Sequence, residues 1–223
     1  MLPKRRIVVR LRYEGVIAYD YPAQIQSTIY RSFRLTSLGR KIHQARYSLF
    51  SYTLSPEKGV YLPEGLKSQN GKWVLRFSSA LEEALDLFIV SIREKFMIGE
   101  SCCEVLGVYE EPLVDKDIFF AAPIVVFRKN EETNVYMEWF DPQFPVGVED
   151  GLSKRYEYLT GEKMPEAKFC FLKEPNKKLF LYKGRKLLGY SGEIVLTGPA
   201  IVKQFAQCVG LGRWPSAGMG MVV

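Results

Sequence analysis

Hydrophobic and polar positions alternate near the start of the chain. In RIVVRLR (6–12), Ile7, Val9 and Leu11 share one face while Val8, Arg10 and Arg12 share the other, which predicts a half-buried strand. The period then changes. In AQIQSTIYRSFRLTSL (23–38), Ile25, Ile29 and Phe33 recur every four residues and predict a helix with one apolar stripe. GRKIHQAR (39–46) reads as a basic loop, and YSLFSYTL (47–54) and KWVLRFS (72–78) as strands separated by a loop with Pro63, Gly65 and Gly71. ALEEALDLFIVSIREKF (80–96) is the clearest helix: Leu81, Ala84, Leu85, Phe88 and Ile92 line one side, and Ser78 or Ser79 is available as its N-cap. SCCEVLGVYEE (101–111) closes the segment as a strand. The order strand, helix, two strands, helix, strand is that of a ferredoxin-like split βαβ unit.

The second half repeats the order less clearly. IFFAAPIVVFR (118–128) is an apolar strand interrupted by Pro123, and VYMEWF (135–140) reads as an inserted strand. EDGLSKRYEYLTG (149–161) predicts a helix ending at Gly161. AKFCFLK (167–173), KLFLYK (178–183) and, after a turn at Gly184, KLLGYSGEIVLTG (186–198) predict strands. PAIVKQFAQCV (199–209) predicts a helix with Pro199 in its first turn. The expected fold class is α+β: tandem ferredoxin-like, RRM-like βαββαβ domains over 1–112 and 113–223, ending in a glycine-rich loop.

Composition narrows the setting. No apolar run reaches the roughly 18 residues of a membrane helix, and MLPKRRIVVRLRYEG alternates instead of forming a secretory signal, so no membrane partner and a cytoplasmic location are expected. Cys102 and Cys103 are adjacent while Cys170 and Cys208 stand alone, so no metal-ligand spacing exists, and all four read as core. The single histidine, His43, argues against a zinc site or a serine-type triad; no metal or cofactor is expected. The formal net charge is +6, with basic clusters at KRR (4–6), RSFR (31–34), RKIHQAR (40–46), KEPNKK (173–178) and KGRK (183–186). Such an excess suits a polyanionic partner, most often nucleic acid, and the exposed face of a split βαβ sheet is a platform for single-stranded RNA.

The chain ends on VGLGRWPSAGMGMVV (209–223), in which Gly210–Leu211–Gly212 and Gly218–Met219–Gly220 flank RWPSA. Gly210 follows a helix and fits a helix terminator, which leaves Gly212, Gly218 and Gly220 to be explained. Glycines let backbone N–H groups approach an anion, Arg213 adds charge, and Trp214 could stack on a base or cover the sheet. The pattern Gly-hydrophobic-Gly, five residues with a Lys or Arg, Gly-hydrophobic-Gly resembles the C-terminal loop of the CRISPR-associated RNA-binding superfamily called RAMP proteins. LLGYSGEIVLTGPA, AAPIVV, IQSTIYRSF and SLFSYTLS extend the similarity to the superfamily's repeat-processing endoribonuclease branch, over nearly the whole chain.

That resemblance implies binding of CRISPR repeat RNA and cleavage of precursor CRISPR RNA, without metal, by 2′-OH attack giving 2′,3′-cyclic phosphate and 5′-OH ends. It implies His43 as general acid or base and Tyr30 as the group positioning the phosphate or 2′-OH. The usual lysine before the LF of the second strand is replaced by Ser48, which leaves Arg46 or Lys41 to stabilise charge. Arg40, Lys41, Gly210, Gly212, Arg213, Trp214, Gly218 and Gly220 are the implied RNA contacts. The same superfamily contains subunits that only bind guide or repeat RNA within a CRISPR effector complex, so this alternative stays open, as does monomer against homodimer.

Overall fold

The computed structural model describes residues 2–92, 94–129 and 134–223. Met1, Arg93 (spanned by the expected 80–96 helix) and 130–133 lie outside the described residues. The first half runs β1 (Arg5–Arg12), β2 (Val16–Ala18), α1 (Tyr21–Phe33), α2 (Ser37–Gln44), β3 (Phe50–Pro56), β4 (Gly59–Leu62), β5 (Gly65–Ser68), β6 (Lys72–Ser79), α3 (Glu82–Ser91), β7 (Lys95–Ile98) and β8 (Ser101–Pro112). The second half runs β9 (Ile118–Ile124), β10 (Phe127–Lys129), β11 (Asn134–Tyr136), α4 (Gln143–Thr160), β12 (Lys168–Phe171), β13 (Asn176–Tyr182), β14 (Arg185–Thr197) and α5 (Ala200–Val209). No helix of the described residues is long and apolar enough to cross a membrane.

Alternation in β1 fixes the first sheet. Ile7, Val9 and Leu11 are fully buried and lie opposite Phe77, Leu75 and Trp73 of β6. The antiparallel order is β3-β6-β1-β8-β7, so the strands of the split βαβ unit stand 4-1-3-2 with β7 added at one edge. The Ile25–Ile29–Phe33 stripe of α1 and Ala84, Leu85 and Phe88 of α3 complete this core. The expected 80–96 helix is shorter, because residues 95–98 pair with β8, and Leu81 is the N-cap position with its N–H donating to Ser79 Oγ at 3.1 Å. Residues 14–22 and the expected loop before β6 hold β2, β4 and β5, a small three-stranded sheet.

In the second sheet β14 pairs on one edge with β13 and then β12, and on the other with β9. The outer edge of β9 is closed by the chain's last residues, through an Ala121–Val222 bridge and hydrogen bonds between Phe120 and Val223 and from Ala122 N–H to Met221 C=O. The spatial order is again 4-1-3-2, with the fourth strand reduced to about one bridge. The glycine-rich segment is therefore a detour between α5 and a vestigial last strand. A second core gathers around Phe119, Phe144, Leu152, Phe169, Ile194 and Phe205.

Three expectations about side chains change. Cys103 and Cys208 are buried, but Cys102 and Cys170 are exposed, since both fall on the outward phase of edge-proximal strands. KRR is largely an internal resource: Arg5 meets Glu82, Asp86 and Glu110. Arg6 is 1% exposed and donates to Val222 C=O at 2.7 Å and Gln207 Oε1 at 3.1 Å, tying β1 to the second half. The expected strand VYMEWF (135–140) is extended only at Val135 and Tyr136, within β11, the partner of β10.

Candidate active site

His43 lies on a helix, not in a loop. Thr36, extended at φ −110°, caps α2 by accepting from Gly39 N–H at 3.0 Å and donates its own hydroxyl to Phe33 C=O at 2.8 Å. Gly39 sits so tightly across the end of α1 that a Cβ there would lie 2.1 Å from Phe33 O. Leu38 and Ile42 anchor α2 on the core and turn Gly39, Arg40, His43 and Gln44 towards the outer side of α1.

Between these helices opens a cavity of about 770 Å³. Helix α1 contributes Gln26 and Tyr30, one turn apart, together with Arg31, and Arg34 follows a turn later at its C-cap; the tip of the β13–β14 hairpin contributes Tyr182 and Lys183. The rings of Tyr30 and His43 meet edge to face, centroids 6.0 Å apart, and Tyr30 also packs against Phe50 at 5.7 Å. Burial raises the pKa of the Tyr30 phenol; the Ser216 hydroxyl partly offsets this and Tyr182 adds to it. His43 and the four cations Arg31, Arg34, Arg40 and Lys183 are exposed, and among the described residues no carboxylate lines the cavity. A half-buried phenol, an accessible imidazole and four unopposed positive charges suit an anion that carries a transferable proton.

The second half closes this site through one contact chain. Tyr182 donates to Gln26 Oε1 at 2.6 Å, Gln26 Nε2 donates to Ser216 C=O at 2.8 Å, and the Ser216 and Ser48 hydroxyls lie 3.0 Å apart. Ser216 belongs to a 3-10 turn, Pro215–Ala217, at the centre of the glycine-rich segment. The tip of one hairpin and the glycine segment thus converge on a glutamine one turn before Tyr30.

The glycines themselves serve the interior. Gly210, Gly212 and Gly220 are buried. The N–H groups of Gly210, Gly218 and Gly220 are donated to Ala206, Pro123 and Pro215 carbonyls as Gly210→Ala206, Gly218→Pro215 and Gly220→Pro123. Gly210 ends α5 at φ 73°, ψ −179°, a region that glycine almost alone adopts, and not in the left-handed helical conformation expected of a terminator. Buried Arg155 of α4 donates to Gly212 C=O at 2.8 Å and Gly210 C=O at 3.0 Å. Burial, with the Arg213 charge acting the same way, pushes its guanidinium down to about 10, so it remains a cation at neutral pH beneath the C-terminus of α5. Arg213 is exposed, 4.9 Å from the Phe127 ring centroid, and half-buried Trp214 packs on Phe127 at 5.5 Å.

The structure therefore brings together Tyr30, Arg40 and His43 of the residues expected from sequence. Lys41 and Arg46 do not line the cavity; Arg46 lies 5.4 Å from the Tyr47 ring, past the end of α2. Arg213 and Trp214 likewise lie outside it, against β10. Sequence reasoning missed Gln26, Arg31, Arg34, Tyr182 and Lys183. The 26–30–34 spacing on α1 was a readable signal for two of them, whereas the place where a distant hairpin tip lands was not.

Two antiparallel sheets of 4-1-3-2 order, with a glycine-rich segment of the second packed beside the cavity of the first, define a tandem ferredoxin-like fold. Residues 110–223 match the family model described as CRISPR associated protein Cas6, C-terminal, and the chain belongs to the Cas6 family. A solved structure described as the characterization of a Cas6-related gene from Pyrococcus furiosus superposes with a TM-score of 0.87 at 19% identity, covering 98% of this chain and 97% of that one. One described as a RAMP protein binding different RNA substrates gives 0.85 at 18%, covering 98% of both chains. A Cas6 product complex gives 0.69 at 14%, again covering 98% of both. At these identities the likeness is one of fold. A search of curated protein sequences found no match.

Proposed function

We propose that the protein is a metal-independent endoribonuclease that binds CRISPR repeat RNA and cleaves precursor CRISPR RNA within the repeat. The observation that carries this reading is the meeting of Tyr30 and His43 in a cavity whose only charged lining residues, among those described, are cations. Family membership supports it, and so does a neighbour of this fold described as a Cas6 product complex. In the proposed reaction His43 takes the proton of the 2′-OH as the 2′-oxygen attacks the adjacent phosphorus and the bond from phosphorus to O5′ breaks. Tyr30 donates a hydrogen bond to the phosphate, and Arg31, Arg34 and Arg40 stabilise the phosphorane. In this reading these arginines take the charge-stabilising place that the family resemblance implied for Arg46 or Lys41.

The test is incubation with repeat RNA in EDTA, beside a substrate carrying 2′-deoxyribose at the scissile nucleotide. Cleavage that persists in EDTA, leaves a 2′,3′-cyclic phosphate and disappears with the deoxy substrate supports the reading. Tight binding with both RNAs intact sinks it in favour of a purely RNA-binding subunit.

Tyr30 gives a pH prediction. Its raised phenol pKa means that the neutral, donating form persists as pH rises past the ordinary value of about 10. Tyr30→Phe is therefore expected to lower single-turnover cleavage by about 10²- to 10³-fold at every pH between about 6 and 9, the size of one lost donor. The shape of the pH–rate profile should stay that of the unmodified protein; disappearance of an alkaline limb in the variant would show that Tyr30 ionises in the reaction.

A further inference from the structure

The proposed reaction moves two protons, one off the 2′-OH and one onto the departing O5′, and the chain has a single histidine. A general acid held by the protein would have to be another side chain. Of the cavity's lining residues, Arg31, Arg34 and Arg40 keep their protons too firmly to give them to a leaving group. Tyr30 could give one only by becoming a phenolate in a half-buried place, where burial already disfavours the anion. Lys183 differs: an ammonium holds its proton less firmly than a guanidinium and leaves a neutral amine, not a buried anion, when it gives the proton up.

The placement of Lys183 looks built. Tyr182 and Arg185 close the β13–β14 hairpin, so Lys183 and Gly184 are its two turn residues. Their φ angles of 49° and 75° are both positive, as a type I′ turn requires, although lysine is a poor residue for the first position. The preceding residue, Tyr182, pins the tip to the cavity through its 2.6 Å hydrogen bond to Gln26. The Lys183 ammonium stands 5.4 Å from the Tyr182 ring centroid. The hairpin thus carries an exposed ammonium from the second half into the wall that holds Tyr30 and His43.

Resting on the nuclease reading above, we propose that Lys183 is a catalytic residue of this cavity, the general acid that protonates O5′ as the bond from phosphorus to O5′ breaks. The balance is complete: His43 gains the 2′-OH proton, Lys183 gives one to O5′, and the products are a 2′,3′-cyclic phosphate and a 5′-OH. Return of the proton from imidazolium to amine, directly or through water, restores the site.

The experiment compares ordinary repeat RNA with RNA whose scissile bridging O5′ is replaced by sulfur, a leaving group that needs no proton. Lys183→Asn removes the ammonium and leaves Asn-Gly, the pair best suited to this turn, so the hairpin is kept. It is expected to slow single-turnover cleavage of ordinary RNA about 100-fold, to cleave the sulfur substrate within about 3-fold of the unmodified protein, and to bind 2′-deoxy repeat RNA only a few-fold more weakly. Lys183→Arg keeps the charge and its N–H donors but releases no proton near neutral pH, and is expected to show the same selective loss. Three results overturn the proposal: an Asn variant as fast as the unmodified protein on ordinary RNA, an equal loss on both substrates, or full recovery by Arg. Failure of the unmodified protein to cleave either substrate overturns the nuclease reading as well, and so is told apart from failure of the lysine assignment alone.

Discussion

Replacing His43 by alanine is expected to slow single-turnover cleavage of repeat RNA by about 10²- to 10⁴-fold, the range of a positioned acid–base group. Binding of an uncleavable 2′-deoxy repeat should stay close to that of the unmodified protein, because His43 is one exposed residue among four cavity cations. The fold should survive: His43 faces solvent on α2, alanine is the better helix former, and the anchors Leu38 and Ile42 are untouched. Stability should change by less than about 0.5 kcal/mol, as at most surface positions. Equal loss of binding and cleavage would mean that His43 holds RNA and does not move a proton. Cleavage at the unmodified rate would remove His43 from the chemistry and leave a chain with no histidine in any catalytic role.

The parts of the fold that were legible are those where burial imposes a period on the sequence. Ile7–Val9–Leu11 and Ile25–Ile29–Phe33 are all fully buried, and each pattern named its element correctly. Helix α2 escaped because its eight residues carry only two apolar anchors; its start is written in Thr36, a cap that the surrounding charges obscured. Boundaries failed where tertiary pairing overrode propensity, as at residues 95–98, which continue a helical pattern but join β8.

The candidate site was half legible for a related reason. Tyr30 and His43 sit on neighbouring helices close in sequence, so local reasoning could bring them near one another. Tyr182 and Lys183 reach the same cavity from the second half, and Ser216 meets its Gln26 from behind; no local pattern encodes a docking between residues so far apart. The basic clusters show the same limit. The run 4–6 suggested RNA, yet Arg6 is spent on Val222 and Gln207, while RSFR supplies Arg31 and Arg34 to the cavity. Composition reports how much charge exists, and only the fold decides which of it faces water.

The glycine-rich segment makes the second large prediction, one of stability. A Cβ on Gly220 would stand 1.9 Å from Leu211 O and 2.8 Å from Leu211 C, both backbone atoms that cannot swing aside, and the residue holds φ +61°. The same place carries two hydrogen bonds, Leu211 N–H to Gly220 C=O at 2.8 Å and Gly220 N–H to Pro123 C=O at 2.9 Å. Relieving the clash must pull this segment off β9 or away from Leu211, which is fully buried. Left-handed strain of about 1–2 kcal/mol, with two buried hydrogen bonds weakened at about 1–3 kcal/mol each, puts the cost of Gly220→Ala at about 3–8 kcal/mol. Gly161 is the matched control: it caps α4 at φ +75° with nothing within 4 Å of its Cβ position, so Gly161→Ala meets the strain alone and should cost about 1 kcal/mol. Urea unfolding of the two variants beside the unmodified chain separates the effects, because only Gly220 adds a collision to the same backbone strain. Loss of Gly220 should also reach the cavity, since Ser216 and its contact with Gln26 hang from the segment that Gly220 closes. Equal small losses for the two variants would show that the segment gives way freely, and would leave its glycines available for a partner outside the fold.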